Sequence, residues 1–296
     1  MLDRVLYVTN YLLGRDIAGR SLTVFPDDTF IVSYPRSGNT WTRFLAGNLL
    51  RPNESISFEN IERLIPEIYL DSKKFLNSLP RPRILKSHEY LDLRYKRVVY
   101  IVRDPRDVIV SGYHFWLKQG KINESVTIND FALSLLRREF WDDLGTWREN
   151  VGGWLAARLG TEGFLLLKYE DMLWQPEVEI AKLAEFLSLK RDAGQIARAV
   201  ERSKFNEMQR LEKIQSDKWF LTKNTRKDIS FIRKAVAGGW KQVLSPESLQ
   251  AIEREWGDLM QFLNYDLVTR QVSREQTFWS SSERKEMVNQ RAAAAG

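Results

Sequence analysis

Alternating strand-like and helix-like segments predict an α/β fold for this chain, a single three-layer domain in which a central parallel sheet is flanked by helices. Three short apolar runs rich in β-branched or aromatic residues stand out: TFIVSY (29–34), RVVYIV (97–102) and GFLLLKY (163–169). RILKSH (83–88) is a weaker fourth. Their apolarity is continuous, the pattern of strands covered on both faces. Helical periodicities lie between and after them, over 39–50, 58–65, 105–118, 129–137, 147–159, 176–187 and 246–263. In such a fold ligands gather at the carboxyl ends of the strands.

The 296 residues are read as one folded unit over 1–265 followed by a polar tail over 266–296. Within it, residues 206–235 are long, polar and basic with weak periodicity, and such a stretch inside a compact domain reads as a mobile lid. The composition, 43% hydrophobic and 28% charged, excludes disordered and collagen-like classes. The excess of 45 Lys and Arg over 39 Asp and Glu, +6, is compatible with nucleic acid, an anionic membrane, an acidic polymer or a phosphorylated small molecule, and charge alone does not choose among them. With no cysteine and only His88 and His114, a disulfide, a thiolate metal site, a Cys nucleophile or a multi-His metal centre is not expected. The apolar patch near residues 5–13 is interrupted or flanked by Asp3, Arg4, Asn10 and Arg15. It is too short to span a bilayer and reads as a packing helix, with no signal peptide or membrane span, so a cytoplasmic location is expected.

The first strand runs into PRSGNTW, which turns the chain into a helix. Amides of about Ser37 to Trp41 are therefore expected to point into one concavity at a helix N-terminus, a geometry that binds phosphate or sulfate. Gly38 permits close approach, Arg36 supplies charge, and Ser37, Asn39 and Thr40 supply polar contacts. The pattern is not GxxxxGK[ST], so it is P-loop-like rather than a Walker A loop.

Arg103 leaves the RVVYIV strand directly, and Ser111 lies eight residues on along the next helix, so the two can grip a second phosphate. Arg106 and Asp107 between them read as a surface pair. At the end of RILKSH, His88 has Lys86 two residues before it on the same side of the strand. A neutral imidazole there suits a general base for an alcohol, and the ammonium can steady anionic oxygens.

Together these features resemble the sulfotransferases that use 3′-phosphoadenosine 5′-phosphosulfate (PAPS), particularly the cytosolic type. The family's YPKSGTTW-like loop, which binds the 5′-phosphosulfate, is similar to YPRSGNTW at Tyr34–Trp41. Its R…S segment ending in SYYHF, which binds the 3′-phosphate, resembles RDPRDVIVSGYHF at Arg103–Phe115. LKYEDM (167–172) looks like the YEDM element, whose tyrosine, here Tyr169, lies near the adenine. SKF (203–205) falls where the family has a further nucleoside contact, which puts Ser203 at the cofactor. FIRKAVAGGWK (231–241) is similar to FxRKGxxGDWK, in which the Arg and Lys, here Arg233 and Lys234, clasp the 3′-phosphate. The likeness spans roughly residues 29–265.

The resemblance implies in-line transfer of a sulfuryl group from PAPS to a hydroxyl or amine of a small-molecule acceptor, with no metal. His88 takes the acceptor's proton, while Arg36, Lys86 and loop amides stabilise charge. Trp41 and Tyr169 offer an aromatic slot for adenine, and Phe58, Tyr69, Tyr90, Trp116, Phe140 and Trp141 are candidates to line the acceptor pocket. Departures are Arg36 for the usual Lys, Asn39 for Thr, Ala235 for Gly and Gly239 for Asp. An Arg at 36 is a poor proton donor, so its implied role is electrostatic. The dimer-forming KxxxTVxxxE is not matched by QVLSPESLQ after Lys241, which leaves the oligomeric state open. A nucleoside or small-molecule kinase of related fold is the leading alternative, with Asp104 imitating a metal-binding acid. A non-catalytic nucleic-acid-binding protein ranks last, because the basic residues cluster in motifs rather than along a stripe.

Overall fold

The computed structural model describes residues 16–269. The helix expected near residues 5–13 and most of the 266–296 tail lie outside the described residues. All four apolar runs form strands: β1 (Thr29–Ser33), β2 (Ile84–Ser87), β3 (Arg97–Val102) and β4 (Phe164–Lys168). They build one sheet in the order β2-β1-β3-β4, parallel throughout, with Phe30 opposite both Leu85 and Val98, and Val98 opposite Phe164.

Among the described residues the helices are α1 (Asn39–Leu50), α2 (Ile61–Leu64), α3 (Lys73–Ser78), α4 (Pro105–Lys118), α5 (Ile128–Leu136), α6 (Trp147–Arg158), α7 (Tyr169–Trp174), α8 (Pro176–Phe186), α9 (Ala193–Arg202), α10 (Phe205–Gln215) and α11 (Pro246–Phe262). Local chemistry sets several of their starts. Asp104 accepts the amide of Arg106 and Pro105 stands in the first turn of α4. Thr127 with Asp130, and Thr146 with Glu149, form capping boxes that open α5 and α6. The stretch 58–65 is shorter than its periodicity suggests, with only the single turn α2 at its end.

Strand alternation divides the core into two layers, as three-layer packing requires. Phe30, Val32, Val98, Tyr100 and Val102 pack with α4, α5, α6 and α11 through residues such as Ile109, Phe131, Trp154 and Trp256. Ile31, Val99 and Ile101 face the other way, onto Phe44 and Leu45 of α1, Ile180 and Leu183 of α8, and Met208 of α10. Beyond β2, the short segment 66–68 continues the sheet edge: Lys86 donates its amide to the Pro66 carbonyl at 2.8 Å, and Ile68 donates to the Lys86 carbonyl at 3.1 Å.

The stretch 206–235 is not irregular throughout, because its first third belongs to α10, which buries Met208 and Leu211. At the other end of the domain, Val268 and Thr269 donate their amides to Glu253 of α11 at 3.1 and 2.8 Å, so the folded unit runs past residue 265.

Candidate active site

A cavity of about 1130 Å³ opens at the carboxyl ends of the strands, lined by the loop after β1, the ends of β2 and β3, and residues 231–236. The loop's backbone is unusual. Arg36 has φ +66° and Gly38 has φ +102°, both in the left-handed region. Gly38 is also tightly packed, since a Cβ there would lie 2.6 Å from Cδ2 of Tyr169. No side chain caps α1 at Gly38. Its first-turn amides, which have no intrahelical partners in any helix, are thus left without a capping side chain and present the positive end of the helix dipole to the cavity.

Cations converge beside this helix end. The Arg36 guanidinium lies between the rings of Phe115 (4.8 Å) and Phe231 (4.4 Å), and its Nε donates to Ser111 Oγ at 3.1 Å. Arg103 stacks 4.1 Å over Tyr169 and donates to the Arg36 carbonyl at 3.2 Å, while its buried Nε has no hydrogen-bond partner. Burial, then Arg103 and Arg233, pull Arg36 down to about 9. Burial and then Arg103 lower Arg233 as well. Like charges this close destabilise one another until an anion joins them, and an unpaired buried donor adds to that cost.

At the end of β2, His88 Nδ1 lies 2.7 Å from the Ser33 carbonyl. A carbonyl can only accept, so Nδ1 carries the proton and Nε2 keeps its lone pair. Burial, and after it the Lys86 ammonium, pull His88 down to about 4, so the ring is neutral at pH 7. Lys86 Nζ is 2.5 Å from Glu67 Oε2, and both side chains are buried. Burial opposes the charged Glu67 carboxylate, but Lys86 and then His88 outweigh it and hold Glu67 below the usual carboxylate range. Lys86 itself is lowered, with burial the largest cause.

A neutral base and two anion-seeking clusters along one cavity fit group transfer from a doubly phosphorylated donor, and comparison with known proteins decides the family. Residues 26–264 match the family model described as the sulfotransferase domain. The chain belongs to the sulfotransferase domain family. Flavonol 4′-sulfotransferase of Flaveria chlorifolia is 30% identical over 272 residues, 83% of this chain and 82% of the relative. Mouse sulfotransferase 2A6 is 26% identical over 246 residues, 79% of this chain and 84% of the relative. Among solved structures, a retinol dehydratase in complex with androsterone and the inactive cofactor PAP superposes with a TM-score of 0.71 at 22% identity, covering 90% of this chain and 87% of its own. Mouse sulfotransferase SULT7A1 complexed with PAP gives 0.68 at 23% identity, with 82% and 87% covered. These two show the shared fold.

Membership makes the chain a sulfotransferase, and the family's sulfuryl donor is PAPS. A kinase reading is not favoured. Asp104, its imitation metal ligand, is committed to Arg106, whose Nε and Nη2 donate to the carboxylate at 3.0 and 2.7 Å. No helix among the described residues is long and apolar enough to cross a membrane.

The sulfotransferase fold brings together Arg36, Gly38, Asn39, Thr40, Trp41, Lys86, His88, Arg103, Ser111, Tyr169, Arg233 and Lys234 around the cavity. Trp41 and Tyr169 meet edge to face at 5.6 Å. Four expectations change. Ser37 is fully buried and donates its amide to the Tyr34 carbonyl at 3.3 Å, so the cradle of free amides starts at Gly38. Ser203 is also fully buried. Its hydroxyl donates to the Ala199 carbonyl and accepts from Asn48, and its neighbours Lys204 and Phe205 line the cavity instead. Arg36 points to Ser111 rather than to Lys86 and His88, because two aromatic rings and the Phe231 carbonyl (3.4 Å) hold its guanidinium there. Arg106 and Asp107 are not a surface pair. Arg106 is buried between Asp104 and Glu253, and Asp107 accepts the amides of Gly238 and Trp240.

Of the acceptor-pocket candidates, Tyr69, Trp116 and Trp141 line the cavity. Phe58 is core, packed on Phe44 and Trp219, and Phe140 stands behind Trp116. Tyr90 packs near Gly145. Sequence reading did not single out Glu67 or Ser33. A lone carboxylate in the apolar run LIPEIYL is the one signal that marks Glu67.

Proposed function

We propose that this sulfotransferase moves the sulfuryl group of PAPS to a hydroxyl or amine of a small-molecule acceptor, in the cytoplasm, with His88 as general base. The observation that carries the reading is the fixed tautomer of His88: Nδ1–H is tied to Ser33, and a neutral Nε2 is left to accept a proton. His88 takes that proton as the acceptor oxygen forms its bond to sulfur and the bond from sulfur to the bridging phosphate oxygen breaks.

Lys86 and the free amides at the start of α1 offset negative charge on the sulfuryl and leaving phosphate oxygens. Arg103, Ser111, Arg233 and Lys234 would hold the 3′-phosphate, and Trp41 with Tyr169 would flank the adenine. The crowding of Arg36, Arg103 and Arg233 and the unpartnered Nε of Arg103 fit a dianion at that place. A cavity of about 1130 Å³ has room for a nucleotide and a second small molecule, whose wall would be Tyr69, Trp116 and Trp141. A lid over the part of 206–235 that follows α10 belongs to the same reading, supported by the cavity-lining positions of Leu221 and Phe231–Ala235.

Isothermal titration with adenosine 3′,5′-bisphosphate in the presence of a chelator, followed by an acceptor screen with radiolabelled PAPS, tests the proposal. Metal-independent binding and label transfer that His88→Ala abolishes, with binding retained, are the expected results. Magnesium-dependent ATP binding without affinity for the bisphosphate overturns the donor assignment, and substantial turnover by His88→Ala removes the base.

A further inference from the structure

Arg233 and Lys234 sit in a segment with no helix or strand of its own, between α10 and the 3-10 turn Gly239–Gln242. Two buried carboxylates hold its two ends. Glu212 of α10 accepts the amides of Phe231 at 2.6 Å and Ile232 at 2.8 Å. Asp107 of α4 accepts those of Gly238 at 2.7 Å and Trp240 at 3.1 Å. The residues between the anchors, Arg233 to Val236, line the cavity.

Neighbouring donors complete the restraint. Gln209 donates to the Ile232 carbonyl at 2.9 Å and Arg103 to the Val236 carbonyl at 3.2 Å. Lys118 Nζ, 3.8 Å from Glu212, donates to the carbonyls of Arg226 and Ile229 at 2.9 and 2.7 Å. Ala235 at the crest has φ +46°, a conformation an alanine keeps only where its surroundings over-determine it.

Carboxylates beside an anion site oppose anion binding through space. Asp107 and Glu212 are 3% and 6% exposed, so solvent screens them poorly, and their presence there needs a gain that outweighs this repulsion. Each makes two charge-assisted bonds to backbone, which fix a loop more firmly than neutral bonds would.

We propose that Asp107 and Glu212 are positioning residues for recognition of the donor's 3′-phosphate, fixing both ends of the 231–240 segment so that Arg233 and Lys234 face the cavity. The inference rests on the donor-site reading above. It predicts the opposite sign to simple electrostatics: neutralising either carboxylate weakens anion recognition instead of strengthening it.

The test compares the affinities of adenosine 3′,5′-bisphosphate and adenosine 5′-monophosphate for the wild type, Asp107→Asn and Glu212→Gln, which lie on different helices and are each sufficient. Wild-type protein that fails to prefer the bisphosphate removes the donor-site reading itself. With that preference present, each variant is expected to lose it by about tenfold, roughly one charge-assisted hydrogen bond, while the monophosphate affinity stays unchanged. A preference retained or increased, or an equal loss for both nucleotides, overturns the inference. Thermal unfolding of each variant identifies one that does not fold, and the other then decides.

Discussion

His88 and Ser33 are joined by a 2.7 Å hydrogen bond from the imidazole Nδ1 to a backbone carbonyl, across two adjacent parallel strands. The same ring is held neutral by burial and by Lys86, with Glu67 pulling the other way and Arg36 adding a smaller repulsion. A group whose folded pKa is depressed to about 4 from an ordinary 6.5 stays in its basic form as pH falls through 6 and 5. The acid limb of kcat/KM, which reports the free enzyme, is therefore expected near pH 4. A pH profile in saturating PAPS with the acceptor varied is not equivalent, because bound donor adds charge, so the donor is the substrate to vary. A midpoint near 6.5 refutes the burial of the base.

Glu67 and Lys86 form a buried pair fixed by the backbone bonds between 66–68 and β2. Glu67→Ala leaves the ammonium buried without its carboxylate and is expected to destabilise the fold by about 3 kcal/mol. Adding Lys86→Met removes the stranded charge and is expected to restore most of that loss, although transfer activity is not restored. Urea unfolding of the single and double variants measures both. A double variant no more stable than Glu67→Ala shows that the loss is packing rather than charge.

Gly38→Ala places a Cβ where φ is +102° and Tyr169 is 2.6 Å away. The strain is expected to lower stability by about 1–3 kcal/mol and to displace the Tyr169 ring. Affinity for adenosine 3′,5′-bisphosphate falls with it, measured by titration. Unchanged affinity and stability together show that the loop has room that its packing denies.

The sheet and most of the large helices were legible because their signals are local. Continuous apolar runs mark strands covered on both faces, and helical periodicity over stretches such as 105–118, 147–159 and 246–263 marks the larger helices. α9 was missed although Ile196, Ala199 and Val200 follow a helical spacing, because that apolar stripe is short and stands among charged and polar residues. α10 begins a polar stretch read whole as a lid for the same reason. Site residues that follow directly after strands, Arg103 and His88 among them, were readable from position. Glu67, Asp107 and Glu212 were not, since their partners are a side chain on another strand and amides far away in sequence, 131 residues in the case of Asp107 and Gly238. The direction of Arg36 depends on Phe115 and Phe231, which no local pattern around the loop reveals.

The strand order places β1 beside β3, yet α1 leaves β1 toward one layer of the core and α4 leaves β3 toward the other. Where two neighbouring crossovers part in this way, a crevice opens between the starts of their helices whatever side chains are there. The location of chemistry in this domain is thus a property of chain routing, settled before any residue is chosen. Substitutions such as Arg for Lys at position 36 can retune what the crevice holds without changing where it lies.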